Sequence, residues 1–490
     1  MNTLFVSKKI KGYVMSCSCT ASPSHKISQE IQDKINNHPC YSESAHQHYA
    51  RIHVPVAPAC NIQCNYCNRK YDCSNESRPG VTSAKLKPQE ALKKVLYVGG
   101  KIQQLSVVGI AGPGDALANP KQTFETFRLL SEKTPDLKFC LSTNGLKLPQ
   151  YIDQIEKYNI DHVTVTINTV DESGEIGSQI YPWVYWNKKK IKGKEAAKIL
   201  LEQQLKGIKM LSERGVLVKA NSVLIPGIND KDLPNVAKKL KELGVFLHNI
   251  MPLLSKAEFG TKFGLDGVPS ATDQEVMAAQ EACGMDMKLM SHCRQCRADA
   301  VGLIGEDRGE EFTKETFNTL EVNKLEEIYN LPARQKRHEM IETWRKHLDK
   351  ANEKVKIEQA SLEELSSNGV TKLIAVTSHG EGVINMHFGS ASEFLIYETG
   401  DKAIKFVMHR KVESSYCSGE ETCGQNPISE IKETLKDCDI LLTEKIGECP
   451  MDELNSIGLI CDESFANEPI EHSVYMAFKK YFGQGEKEIG

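Results

Sequence analysis

The sequence predicts an α/β protein: a partial TIM-type (β/α)6 barrel followed by a small, separate α/β domain. Two observations carry this. Between residue 52 and about residue 287, short β-rich runs alternate with longer helical patterns, as in a parallel sheet with crossover helices. Beyond Gly369 the pattern changes to a hairpin, a helix and a short strand. At 490 residues the chain is also longer than one domain of roughly 100–200 residues.

Taken in order, residues 1–37 are polar, rich in Ser and Lys and without strong periodicity, an irregular N-terminal segment. Residues 38–300 hold the barrel, with strands expected at 51–56, 104–110, 137–143, 162–167, 216–224 and 245–251, and helical spacing at 88–98 and 200–213. In the fourth strand Val163, Val165 and Ile167 share one face and Thr164, Thr166 and Asn168 the other. The same alternation puts Cys140, Ser142 and Asn144 on one face, so the barrel interior is expected to be polar. Its chemistry should sit at the C-terminal strand ends, where 112–115, 142–145, Asn168 and 226–229 fall. Residues 301–368 are highly charged with few apolar positions, a helical linker. Residues 369–485 form the last domain, with a strand at 371–378, a helix at 427–436 and a strand at 440–443.

Hydrophobic residues make up 40% and charged residues 26%, which excludes a disordered or collagen-like chain. With 65 acidic against 61 basic residues the net charge is −4, so no nucleic-acid or anionic-lipid partner is indicated. No run approaches the roughly 18–20 apolar residues of a membrane span, and no secretion signal opens the sequence, so a cytoplasmic protein is expected. Sixteen cysteines in a reducing compartment point to metal or redox chemistry rather than disulfides.

Cys60, Cys64 and Cys67 form C-x3-C-x2-C directly after the first strand. Three thiolates on one short loop can take three irons of a [4Fe–4S] cube and leave the fourth iron open to a small chelating ligand. Zinc closes with four ligands, commonly in paired two-residue spacings, and this trio has no matching pair nearby. Cys73 follows six residues after Cys67, and Cys293 and Cys296 form C-x2-C after the last barrel unit; together they can anchor a second cluster, although that C-x2-C alone would also suit zinc or a dithiol. Cys40, with His38 two residues before it, and Cys140 can hold a third, the ordinary alternative for His38 being a loop or capping histidine.

With Tyr66 just before its last cysteine, this loop resembles that of the radical S-adenosylmethionine enzymes, over about residues 51–252. The resemblance implies that S-adenosylmethionine chelates the open iron and that an electron from the cluster splits its sulfonium to a 5′-deoxyadenosyl radical. It also implies that Gly112, Pro113, Gly114 and Asp115 form the turn supporting the methionine end, with Ser142, Asn144 and Asn168 as further polar contacts. The run 38–81, the segment CRQCRADAVG and the turn IPGIND resemble more narrowly the maturases that make the iron–sulfur–carbide precursor of the nitrogenase iron–molybdenum cofactor.

That second resemblance implies a lyase-type enzyme that fuses two [4Fe–4S] substrate clusters, one on Cys73, Cys293 and Cys296, the other on Cys40, Cys140 and a histidine such as His38. One S-adenosylmethionine would donate a methyl group, a second the radical, and with one added sulfur the product is an eight-iron, nine-sulfide, carbide cluster. Glu76, three residues after Cys73, is expected as a transient iron ligand or a base for the methyl carbon, a solvated loop carboxylate being its ordinary alternative. His46, His48 and His53 are further ligand candidates. The implied partners are iron–sulfur cluster and electron donor proteins and a carrier or scaffold of the NifX or NifEN kind that accepts the product.

Residues 180–190, with two Trp and two Tyr beside three lysines, suggest a lid over the radical site or an exposed loop that contacts another protein. The tail resembles the NifX-like cofactor-binding modules, RNase H-like in fold, chiefly through MHFGSASEFLIYE at 386–398. It would receive or shield the product, with His379, His387 or Cys417 as ligands, while Cys438, Cys449 and Cys461 are expected to be small buried residues. Two other readings compete: a radical peptide or protein maturase with auxiliary clusters, and a non-enzymatic iron–sulfur carrier.

Overall fold

The structure, a computed structural model, describes every residue except 1–34, 36–37, 39–40, 43–44, 46–47, 69–80, 285–286, 291–295, 304–306, 363–370, 381, 401–403, 413–414, 417–426 and 484–490. Its strands are β1 (Ala50–His53), β2 (Ile62–Gln63), β3 (Leu105–Ile110), β4 (Lys138–Thr143), β5 (His162–Thr166), β6 (Trp183–Trp186), β7 (Lys189–Lys192), β8 (Leu217–Leu224), β9 (Leu247–Pro252) and β10 (Val301–Leu303). In the tail follow β11 (Thr371–Val376), β12 (Glu393–Gly400), β13 (Ile404–Lys411), β14 (Ile440–Leu442) and β15 (Ile460–Asp462).

The main sheet runs β10-β1-β3-β4-β5-β8-β9, with the six expected strands parallel and β10 antiparallel against β1. This is the partial (β/α)6 barrel that the alternating pattern predicts. One face of β5 carries Val163 and Val165 into the apolar core, shared with Ile52, Val108 and Leu141 from neighbouring strands. The helix Pro88–Lys101 shows how the crossovers attach: proline opens it, Glu90 accepts a 2.7 Å hydrogen bond from the Lys87 amide, and Ala91, Leu92, Val95 and Leu96 are buried. Each buried Leu or Val of this kind contributes about 1.5–3 kcal/mol.

Three expectations change. Residues 180–190 are not an open loop: β6 and β7 form a hairpin, and β6 pairs antiparallel with β2. The barrel does not stop at residue 300, because β10 lies beyond it. Nor is the stretch after 301 a bare linker, since Phe312, Phe317, Leu325 and Tyr329 pack into the barrel core. Arg334 is fully buried, 2.8 Å from Asp136 and donating to the carbonyls of Gly99, Ile102 and Leu105. The apolar residues here are few, but these four are buried in the barrel core, so a count of them understates the packing.

The tail sheet runs β13-β12-β11-β14-β15, with antiparallel pairing among β11, β12 and β13 and parallel pairing of β14 to β11 and β15. Its two faces bury separate apolar clusters, one under Pro427–Leu435 and Glu448–Asn455, the other under Ile470–Phe482. Among the described residues no helix is long and apolar enough to cross a membrane.

Candidate active site

The cysteine loop is held from two sides. On one side Tyr185 N donates to Asn61 O across 2.6 Å, Asn65 N donates to Ile180 O across 2.9 Å, and the Asn65 side chain donates to Gln179 O across 2.7 Å. On the other, Gly114 N donates to Ala57 O (2.7 Å) and Asp115 N to Ala59 O (2.8 Å). A Cβ at Gly114 would lie 2.1 Å from Ala59 O, so this close approach requires glycine. Gln63 Nε2 closes the loop on itself by donating to both Cys64 O and Cys67 O at 3.0 Å. Cys60, Cys64 and Cys67 are half-buried and in no disulfide.

These thiols open onto a cavity of about 290 Å³ whose wall also carries Cys140 and Cys296. The register explains how Cys140 arrives there. His53 pairs with Gly109, Gly109 with Cys140 and Cys140 with His162, one rung across four strands. A Cβ at Gly109 would come within 2.7 Å of both Cys140 Sγ and His53 Cδ2, so the glycine makes the space they occupy. Cys296 reaches the cavity from the segment before β10, where Arg51 Nη2 donates to its sulfur across 3.3 Å.

Of the expected cofactor contacts, Pro113, Gly114, Asp115, Ser142 and Asn144 line the cavity, and Gly112 lies just behind it, its carbonyl accepting from Ala57 N at 3.3 Å. Asn144 Nδ2 donates to Asn61 Oδ1 at 2.7 Å and lies 3.7 Å from Cys60 Sγ. Asp115 also braces the turn itself. Its Oδ1 accepts from Leu117 N and Ala118 N, each at 3.0 Å, and its Oδ2 from Thr143 Oγ1 (2.9 Å) and Asn144 N (2.6 Å), tying the ends of β3 and β4 together. Burial raises its pKa, against the pull of those donors. Asn168 is 1% exposed and sits behind the residues that line the cavity. Its Nδ2 donates to the hydroxyls of Tyr66 and Tyr181 and its Oδ1 accepts from Val223 N, so it fixes Tyr66 from behind.

His38 is likewise set back from the wall, stacked on Tyr41 and edge-on to His162, with ring centroids 4.3 and 4.4 Å away. Cys40, Cys73, Glu76 and Cys293 lie outside the described residues, as do His46 and Cys417. Residues that the sequence reading missed complete the wall: Arg51, His162, Lys219 and Asn221. For His162, Lys219 and Asn221 the signal was available, since each falls on the inward phase of its strand. His53, one of several unranked candidates, lines the cavity. Its Nδ1 lies 2.9 Å from Arg297 O, and because a carbonyl only accepts, Nδ1 carries the proton and Nε2 keeps its lone pair. Burial, then the Arg51 charge, pushes its pKa down to about 4.

In the tail, His387 Nδ1 accepts from Gly389 N at 2.9 Å and serves as a cap. Cys438 is buried, Cys461 half-buried, and Cys449 exposed, contrary to expectation. Burial pushes the Cys438 and Cys461 thiols up to about 12, so both stay protonated.

The donor set fits an iron–sulfur cube. Among the described residues no three His, Cys, Asp or Glu side chains converge on a point suited to one metal ion. A cube takes one thiolate per iron, so its three cysteines need not converge, and the cavity lies on their open side.

A sheet of this order with a three-thiol loop at the end of its first parallel strand defines a radical S-adenosylmethionine enzyme, and residues 54–240 match the Radical SAM superfamily. That membership gives the chain a [4Fe–4S] cluster and S-adenosylmethionine. Residues 370–475 match the family described as Dinitrogenase iron-molybdenum cofactor. Over 471 residues, 96% of this chain and 87% of the relative, it is 50% identical to the FeMo cofactor biosynthesis protein NifB of Herbaspirillum seropedicae. Over 481 residues, 96% of this chain and 94% of the relative, it is 47% identical to the NifB of Azotobacter vinelandii. The chain belongs to the NifB family of FeMo cofactor biosynthesis proteins.

Proposed function

We propose that the chain fuses two [4Fe–4S] substrate clusters, with carbide insertion from S-adenosylmethionine and addition of one sulfur, into the [8Fe–9S–C] precursor of the nitrogenase iron–molybdenum cofactor. One observation carries this reading beyond the family name: thiols from three separate stretches of chain, Cys60, Cys64 and Cys67, then Cys140, then Cys296, face one cavity.

The resident cluster with S-adenosylmethionine supplies methyl transfer and one-electron cleavage of the sulfonium when bound. Cys60, Cys64 and Cys67 would hold that cluster, with the carbonyls of Pro113 and Gly114 and the hydroxyl of Ser142 as polar contacts for the methionine end. Asn144 would orient the Cys60 sulfur. Cys296, with Cys73 and Cys293, would anchor one substrate cluster; Cys140, with Cys40 and an imidazole, would anchor the other. His38 is the histidine nearest Cys40 in sequence, while His53 and His162 stand on the wall itself. Glu76 remains the proposed base or transient ligand. Three ligands per substrate leave most irons free to fuse. Arg51 and Lys219 place positive charge beside substrates that carry net negative charge with thiolate ligands.

The electron and cluster donors and the product acceptor follow as partners, the tail domain being suited to receive or shield the product. Anaerobic reconstitution with iron and sulfide tests the reading: about twelve irons per chain are expected from three cubes, and 5′-deoxyadenosine and S-adenosylhomocysteine should both form. About four irons, unchanged in Cys140→Ala and Cys296→Ala, would leave no substrate sites and overturn it. A plain carrier would yield neither nucleoside product.

A further inference from the structure

The hairpin β6–β7 is welded to the cysteine loop and carries an unusual charge. Its residues 183–192 include four lysines and no carboxylate, on a chain whose net charge is −4. Lys188, Lys189, Lys190 and Lys192 are all exposed. Lys190 stacks over Trp183, 4.4 Å from the ring centroid. Lys188, Lys189 and Lys192 form no ion pair among the described residues. The other lysines bordering this loop differ: Lys256 is paired with Glu258, Lys262 with Asp266 and Lys194 with Glu175.

The turn adds a second observation. Trp186 pairs with Lys189, so Asn187 and Lys188 form a two-residue turn, with φ of 47° and 62°. A turn with positive φ at both positions is easiest with glycine at the second, and a lysine there costs about 1 kcal/mol or more. The charge is thus kept at the tip against backbone strain. β7 is two strand spacings from β2, about 10 Å, and β2 lies between Cys60 and Cys64.

We propose that Lys188, Lys189 and Lys192 on this hairpin dock an acidic, low-potential one-electron carrier protein that reduces the cluster on Cys60, Cys64 and Cys67. The assignment rests on the reading above, which needs one electron for each sulfonium cleaved reductively to the radical, the methyl transfer needing none. The carrier is oxidised by one electron and the cluster reduced by one, with no bond made or broken between the proteins. A negatively charged carrier is repelled by the chain's overall charge, and a basic island over the cluster loop both attracts it and fixes where it lands.

The test uses the anaerobically reconstituted full chain and an acidic flavodoxin in its hydroquinone form, following the cluster absorbance by stopped flow, with dithionite as a reductant that needs no docking. In the triple variant K188Q/K189Q/K192Q the rate constant with flavodoxin should fall tenfold or more at low salt and lose its salt dependence. Iron content and reduction by dithionite should stay as in the parent, and K188R/K189R/K192R should keep the parent rate. Flavodoxin affinity for the cluster-free chain, measured by calorimetry, should weaken in the glutamine variant. A glutamine variant as fast as the parent, or an arginine variant as slow as the glutamine one, overturns the docking assignment. A parent that takes no electron from dithionite overturns the cluster reading itself, and the docking with it.

Discussion

The Arg51 guanidinium donates from Nη2 to Cys296 Sγ across 3.3 Å, and from Nη1 to Gly302 O and Leu303 O at 2.7 and 3.0 Å. A residue of the first strand thereby sets the direction of a thiol that follows it by 245 residues. Arginine suits this because its planar fork fixes several acceptors at once, which a lysine ammonium cannot do. Arg51→Lys should therefore keep the local charge, lower bound iron by about four atoms per chain, and leave reductive cleavage of S-adenosylmethionine intact. Iron counting beside product chromatography reads both effects, and full iron in the variant would show that the fork is not needed.

The ligand partition separates two cysteine variants. Cys64→Ala should abolish S-adenosylmethionine cleavage while iron remains at the other positions. Cys296→Ala should stop product formation but preserve some cleavage. Identical behaviour of the two, seen by electron paramagnetic resonance and product analysis, would contradict separate roles.

Gly109 offers a steric test. An added methyl meets Cys140 Sγ and His53 Cδ2 at 2.7 Å, so Gly109→Ala should cost about 1–3 kcal/mol in urea unfolding as these side chains shift. Iron held through Cys140 should fall, with the Cys60 loop still reducible. Unchanged stability and iron would mean the rung has slack.

His248 supplies a pH dependence away from the cysteines. It is fully buried, with Nε2 2.8 Å from Ser222 Oγ, and burial pushes its pKa from 6.5 down to about 4. Between those values the unfolded chain binds a proton that the folded chain does not, so stability is full above about pH 6.5 and is lost as pH falls toward 4. From pH 7 to 5 the loss from this residue should be about 2 kcal/mol. Urea midpoints of the cluster-free protein should show His248→Gln with a shallower decline over that interval; parallel curves would refute the assignment.

Legibility followed periodicity. The six parallel strands could be read because each is long enough to alternate, and the same phase rule brought Cys140, Ser142 and Asn144 to the cavity. β10 has three residues, too few for a period, and β6 buries only Val184 fully, so the hairpin shows no apolar stripe. For Asn168 and Asp115 the sequence could not show the structural ties that their side chains make. A polar residue at a strand end faces a ligand or ties neighbouring loops, and only the partners of its atoms distinguish the two. The enclosure of Arg334 was illegible too, since an arginine in a charged stretch gives no sign that it is wholly buried.

The antiparallel strand β10 bears on the order of events during synthesis. At about 5–20 residues per second, the ribosome needs on the order of ten to fifty seconds between Arg51 and the segment that pairs beside it. Through that interval the nascent chain already displays the Cys60 loop and Arg51 but does not yet contain Cys296, and the margin of β1 stays bare and prone to mispairing. Metal delivered in that interval would lack the anchor assigned to Cys293 and Cys296, so that destination is the last to be made.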